Sequence, residues 1–160
     1  MGEIIVDIGS GHGYPAASLS NFAPHPFTVA WRGFTLECNS MEGFLQSLKF
    51  KNPEMQKHVA TLVGYAAKKK GREKNWRASQ ILWWNGEPID RHSDDYQQLL
   101  DVAYIALSEN STFRKALIST HDAVLTHSIG KSNPNETVLT QKEFVSRLMQ
   151  IRDIMYDELL

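Results

Sequence analysis

Glu42, Gln46 and Lys49 stand at i, i+4 and i+7 within the segment Ser40-Met41-Glu42-Gly43-Phe44-Leu45-Gln46-Ser47-Leu48-Lys49-Phe50. On a helix they form one polar stripe. Met41, Phe44, Leu45 and Leu48 form an apolar stripe at i, i+3, i+4 and i+7, and the polar stripe lies roughly 100° from its centre. The polar residues therefore flank the core, and Phe50, nearly opposite the apolar face, predicts a helix covered on two sides. A carboxylate held in such a position can act as acid, base or nucleophile. A structural reading competes with that one. Asn39-x-x-Glu42 has the spacing of a capping box, and spacing alone favours Glu42 as a cap. Glutamine at position 42 would separate the two, since it keeps a backbone hydrogen bond but neither charge nor proton transfer.

Other residues carry weaker chemistry. Lys68-Lys69-Lys70-Gly71-Arg72-Glu73-Lys74-Asn75-Trp76-Arg77 is basic almost throughout. It reads either as a phosphate clamp or, more commonly for lysine runs, as a solvated helix end. Gly71-Arg72 is its most specific part, because glycine permits close approach and arginine binds oxyanions in pairs. Trp76, Trp83 and Trp84 are concentrated in one stretch. At least one should be core, while another can offer a stacking face to a base. Gly9-Ser10-Gly11-His12-Gly13 is no dinucleotide fingerprint, because Pro15 and its successors open no clear helix. The histidines show no metal-ligand spacing. His127 sits where a strand should enter a loop, a plausible site position against the default of a surface histidine. Cys38 has no evident partner and reads as packed.

The elements that must position these groups emerge from length and pattern. The chain of 160 residues fits one domain spanning 1–160, with 42% apolar and 22% charged residues, ordinary for a globular protein. The formal net charge of −1 limits any nucleic-acid contact to a local one. No membrane-length apolar run and no signal-peptide pattern appear, and a single cysteine fits a reducing compartment, so a cytoplasmic location is expected. Residues 3–8 predict a strand, 9–26 a long loop, and 27–31 with 34–37 a hairpin around Arg32-Gly33. The helix from Ser40 is capped by Asn39 or Ser40, and Pro53 opens another. Residues 66–84 mix helix and loop. Ser93 or Asp94 caps a long helix, Ser111 a shorter one, residues 123–127 form a strand, and 128–139 a second long loop. Thr140 and Glu143 make a capping box for a final helix burying Phe144, Leu148, Ile151 and Met155. The sum is α+β, a single mainly helical domain around a small β-sheet.

Ser20-Asn21-Phe22, Pro26-Phe27, Glu42-Gly43-Phe44-Leu45-Gln46 and Lys49-Phe50 together resemble the NADAR (YbiA-like) superfamily. Lys69-Lys70-Gly71-Arg72, Trp76, the helix from Tyr96 to Leu107, Leu117 to Asp122 and Leu148-Met149 to Arg152 continue the likeness over roughly residues 14–155. Trp84-Asn85-Gly86 to Asp90-Arg91 and Thr126-His127-Ser128-Ile129-Gly130-Lys131 look like its bacteriophage branch, which would place the protein in a host cytoplasm. The resemblance implies an N-glycosidase breaking the C–N bond at a ribose anomeric carbon. The group removed is ADP-ribosyl, for instance from guanine in nucleic acid, or ribose-phosphate from an early riboflavin-pathway intermediate. It places the essential glutamate on Glu42, reversing the preference for a cap, and a site tryptophan on Trp83. Gln46 and Lys49 would then orient that acid or hold the ribose and phosphate. Arg72 and Lys69 would grip phosphate, Asn21 the sugar, and His127 would join the binding residues. No metal or redox cofactor is implied. Many members carry an acid followed shortly by Trp-Gly where this chain has Thr126-His127-Ser128-Ile129-Gly130. A non-catalytic binder of ADP-ribose or a nucleotide is therefore a third reading, beside the two hydrolases. The oligomeric state stays open.

Overall fold

The computed structural model describes residues 3–159, which form helices and short strands around one continuous apolar core. Strand β1 (Ile5–Asp7) leads through a turn to the short helix α1 (Ala16–Leu19). The hairpin β2 (Phe27–Trp31) and β3 (Phe34–Cys38) comes next, then helices α2 (Met41–Ser47), α3 (Pro53–Ala60), α4 (Gly64–Gly71) and α5 (Trp76–Ser79). A second hairpin, β4 (Ile81–Trp84) and β5 (Glu87–Asp90), precedes the long helix α6 (Asp94–Ser108) and α7 (Ser111–Ile118). Strand β6 (Val124–Thr126) and the C-terminal helix α8 (Gln141–Leu159) complete the chain.

The mainly helical α+β class is as expected, but the sheet is divided. Among the described residues the strands make three separate pairs, β2–β3 and β4–β5 antiparallel and β1–β6 parallel. The β2–β3 connection bends at Arg32 and Gly33, both at positive φ, a backbone that matches strand twist in a two-residue hairpin. Asn85 and Gly86 do the same for β4–β5. Strand β4 lies in the stretch 66–84, expected to mix helix and loop, although Asn-Gly after an apolar run is a usual mark of such a hairpin. The loop expected over 9–26 contains α1, too short to show a helical period.

Capping decides where the helices begin. Ser40 Oγ accepts from the Gly43 N–H at 2.9 Å, Asn52 and Ser93 cap α3 and α6, and Asn110 rather than Ser111 caps α7. The Thr140–Glu143 box forms in both directions: Thr140 N–H donates to Glu143 Oε1 at 2.8 Å and Glu143 N–H to Thr140 Oγ1 at 3.1 Å. Helix α2 stops at Ser47, so Lys49 and Phe50 lie in the turn beyond it.

Phe44, Leu45 and Leu48 of the α2 segment are buried in the common core with Leu36, Leu100 and Trp84. Two contacts lock α2 in depth. Gly43 passes so close to the α3–α4 connection that a Cβ there would lie 2.4 Å from Leu62 O and 2.7 Å from Ala60 O. Gln56, fully buried, donates to Ser47 O at 3.2 Å and to Trp83 O at 2.8 Å and accepts from Asn85 N–H at 3.0 Å. One amide thereby ties α2, α3 and the second hairpin together. No helix is long and apolar enough to cross a membrane among the described residues.

Candidate functional site

Helix α2 carries the polar stripe along one wall of a cleft of about 470 Å³. Asn21, Glu42, Gln46, Lys49, Arg72 and His127 all line it, drawn from separate parts of the chain. The loop before β2 is sewn to the helix start: Glu42 N–H donates to Asn21 O at 2.9 Å, and the Asn21 side-chain oxygen accepts from Tyr104 OH at 2.9 Å. Lys68, Trp76, Arg77, Ile129, Lys131 and the segment Glu136–Leu139 close the remaining walls.

Glu42 is not the cap. Ser40 does that work, and Asn39 instead donates its amide to Thr61 O at 3.0 Å. The Glu42 carboxylate points along the helix, where Gln46 Nε2 donates to its Oε1 at 2.8 Å. Oε2 has no donor among the described residues. Burial pushes the Glu42 carboxyl above its ordinary value, while the Gln46 hydrogen bond and the charges of Lys49, Lys68 and His127 pull the other way. Burial likewise brings the Lys49 ammonium down to about 8; Glu42 opposes that shift, and Arg77, Arg72 and Lys131 add to it. An acid raised and a lysine lowered in one cleft is a pattern concentrated at functional sites.

Gln46 is the hinge of this arrangement. It is buried, and its Oε1 finds no hydrogen-bond partner. It faces Gly71: a Cβ on that glycine would sit 1.7 Å from Oε1. The absent side chain of Gly71 is the space Gln46 occupies, and this is the close approach that a glycine beside Arg72 permits.

Two predicted residues lie elsewhere. Lys69 is exposed and does not line the cleft; Lys68 takes its place. Lys68 and Arg72 are four apart and share a face of α4, whereas Lys69 is turned about 100° away. Trp83 is on the face of β4 opposite to the buried Leu82 and Trp84, with Lys51 Nζ 5.2 Å from its ring centre, and the cleft tryptophan is Trp76. Strand alternation sends Trp83 and Trp84 to opposite faces, but which face meets a cleft is settled by packing. Arg77 and Lys131 line the cleft as well, and sequence reasoning does not single them out. Their signal is charge alone, and charge is common.

A shallower groove of about 830 Å³ along Phe50, Pro53, Met55 and Gly86 is mostly apolar. Its acids Glu54 and Glu73 are paired with Lys57 and Lys70. It lacks the convergence of half-buried acid, buried amide and cations that marks the α2 cleft. Among the described residues no group of three His, Cys, Asp or Glu side chains is placed to hold a metal ion.

The fold has a solved counterpart in YbiA of E. coli, whose NMR structure superposes with a TM-score of 0.59 at 19% identity, covering 99% of this chain and 88% of that one. The architecture is thus that of a YbiA-like protein. A family profile described as Bacteriophage protein GP30.3 matches residues 13–153. An uncharacterized 17.1 kDa protein from the Gp30–rIII intergenic region of enterobacteria phage T4 is 36% identical over 153 residues, 92% of this chain and 97% of its own length. The chain belongs to the bacteriophage GP30.3 family and has the fold of YbiA.

Proposed function

We propose that the protein is an N-glycosidase that hydrolyses the C–N bond at the anomeric carbon of an ADP-ribosyl group, such as one carried on guanine in nucleic acid. The observation that carries this reading is Glu42: a half-buried carboxylate with one oxygen held by Gln46 and the other free, in a cleft also lined by Lys49, Lys68, Arg72, Arg77 and Lys131. Breaking an N-glycoside develops positive charge at the sugar. A fixed carboxylate stabilises that charge and can take a proton from the attacking water. The surrounding cations suit a pyrophosphate, which carries negative charge away from the reacting carbon. Trp76, almost wholly buried, gives the cleft an apolar wall, Gln46 holds the acid, and Asn21 offers its amide nitrogen to the sugar.

The volume is within the range of sites for small ligands. A free phosphorylated N-riboside, such as an early riboflavin-pathway intermediate, is therefore the second reading, favoured by the lack of excess positive charge over the whole chain. Incubation with ADP-ribosylated DNA and, separately, with free N-ribosyl phosphates decides between them by whether ADP-ribose is released from the DNA or ribose-phosphate from its base. Glu42→Gln should be inactive on either. Tight binding of ADP-ribose with no turnover of any N-riboside would leave a binding module instead of an enzyme.

A further inference from the structure

His127 lines the same cleft as Glu42 but comes from a different element, just beyond the end of β6. Its Nδ1 is 2.8 Å from Ile8 O. A carbonyl only accepts, so Nδ1 carries a proton and Nε2 is the nitrogen that can gain or lose one. The ring cannot swing freely, because Phe144 meets it edge to face with centroids 5.1 Å apart at 90°. Gly130 keeps the working edge open: a Cβ there would lie 2.5 Å from Cδ2 and 3.2 Å from Nε2. The loop bearing both residues is fastened independently of any ligand. Asp7 accepts from Thr126 Oγ1 at 2.9 Å and from Ser128 N–H at 2.8 Å, Gly130 N–H donates to His127 O at 2.9 Å, and Gln141 Nε2 to Gly130 O at 2.7 Å.

We infer that His127 is a catalytic acid of this site, delivering a proton from Nε2 to the departing nitrogen while Glu42 serves the incoming water. The inference rests on the N-glycosidase reading and adds a division of labour to it. In the step, the C1–N bond breaks and its electron pair stays on nitrogen. The imidazolium Nε2–H protonates that nitrogen. Water oxygen bonds C1, and the Glu42 carboxylate takes its proton. Glu42 then returns this proton through solvent to Nε2, so both groups are restored. Two titratable groups on separate elements of one cleft are what a reaction with an incoming and an outgoing partner requires.

The electrostatic surroundings of the ring are mixed. Glu42 on α2, Lys49 beyond α2, Lys68 on α4 and Lys131 in its own loop line the same cleft as the ring. Asp7, at the end of β1, is engaged by Thr126 and Ser128. Helix α8 presents Phe144 and Gln141 to this region, both neutral.

The test compares leaving groups that differ in their need for a proton. When ADP-ribose is cleaved from the exocyclic amine of guanine in a short DNA, the guanine nitrogen leaves as a poor anion unless protonated. The nicotinamide of NAD leaves as a neutral pyridine and needs no proton. His127→Gln should slow release from the DNA substrate about 100-fold or more, the usual scale of a general acid, and slow NAD cleavage by less than about tenfold. Gly130→Ala, which covers the same ring edge, should show the same selectivity. An equal loss on both substrates in both variants, or no loss on either, overturns the role of His127. In that case a wild type that cleaves the DNA substrate and an inactive Glu42→Gln would leave the N-glycosidase reading standing. A wild type inert towards every N-riboside overturns both.

Discussion

Glu42 is costly to ionise where it stands, and that cost is the residue-scale property on which the chemistry depends. Its carboxyl is held above the ordinary value by burial, so the folded state binds the proton more firmly than the unfolded chain does. Ionising it at neutral pH therefore subtracts from stability. Glu42→Gln should remove turnover while leaving the melting temperature equal to or above that of the wild type; the Ser40 cap is untouched, and Gln46 can still donate to an amide oxygen. A clear drop in melting temperature would mean that the charge holds the fold. Lys49 has the opposite sign. Its folded value of about 8 lies below the ordinary lysine value, so in the window between them the unfolded chain binds more protons and stability rises with pH. Urea unfolding of wild type against Lys49→Met should show the wild type gaining relative stability from about pH 7.5 to about pH 10. The comparison is needed because burial also raises Cys38, Tyr96 and Tyr104, and these act in the other direction at high pH.

At the scale of elements, the site is a contact between α2 and α4 regulated by glycine. Gly43 lets α2 approach the α3–α4 connection, and Gly71 lets Gln46 lie between the two helices. Gly71→Ala forces the Gln46 amide aside and leaves Glu42 without its donor. Stability should fall by about 1–2 kcal/mol, the scale of overpacking plus a lost hydrogen bond. The acid limb of any activity profile should move to higher pH, because the hydrogen bond that lowers Glu42 is gone. An unmoved limb would show that Gln46 does not set the acidity of Glu42. The helical spacing of Glu42 and Gln46 is visible in the chain, and the likeness to the NADAR pattern singles them out. Lys68 in place of Lys69 is visible in principle, by its four-residue offset from Arg72. Trp76 in place of Trp83 is not, since each of the clustered tryptophans satisfies the same apolar pattern and the choice is made by neighbours distant in sequence.

The whole molecule supports the cleft through a buried charge network behind one of its walls. Arg91, 1% exposed, pairs with Glu143 through two hydrogen bonds of 2.7 and 3.1 Å and donates Nε–H to Thr137 O at 3.0 Å. Tyr96 OH donates to Val138 O. These contacts hold the Thr137–Leu139 segment that lines the cleft. Burial alone would raise Glu143, but hydrogen bonds from Arg91, Gln97 and the Thr140 N–H outweigh it and hold the carboxyl below its ordinary value. Its contribution is therefore complete at neutral pH and is lost as pH falls through the folded value. Arg91→Met should cost about 3 kcal/mol, the lower end for a broken buried pair, because half-buried Glu143 loses its cation and keeps only the Gln97 and Thr140 donors, and should flatten the acid side of the stability profile. Denaturation at about pH 7 and about pH 4 measures both. A variant as stable as wild type at neutral pH would mean that the pair is not what secures this wall.

Local rules, read from the chain itself, determine the helical stripe with Glu42, the β2–β3 turn, the Thr140–Glu143 box and the mainly helical α+β class. Each depends on residues within a few positions of one another, so short-range spacing carries the information. Tertiary structure alone decides that β1 pairs with β6, that the strands form three pairs and not one sheet, and that Asn21, His127 and Trp76 meet Glu42 around one cavity. Those meetings depend on which surfaces bury each other and on glycines whose missing side chains become the space another residue fills. No local pattern encodes that space.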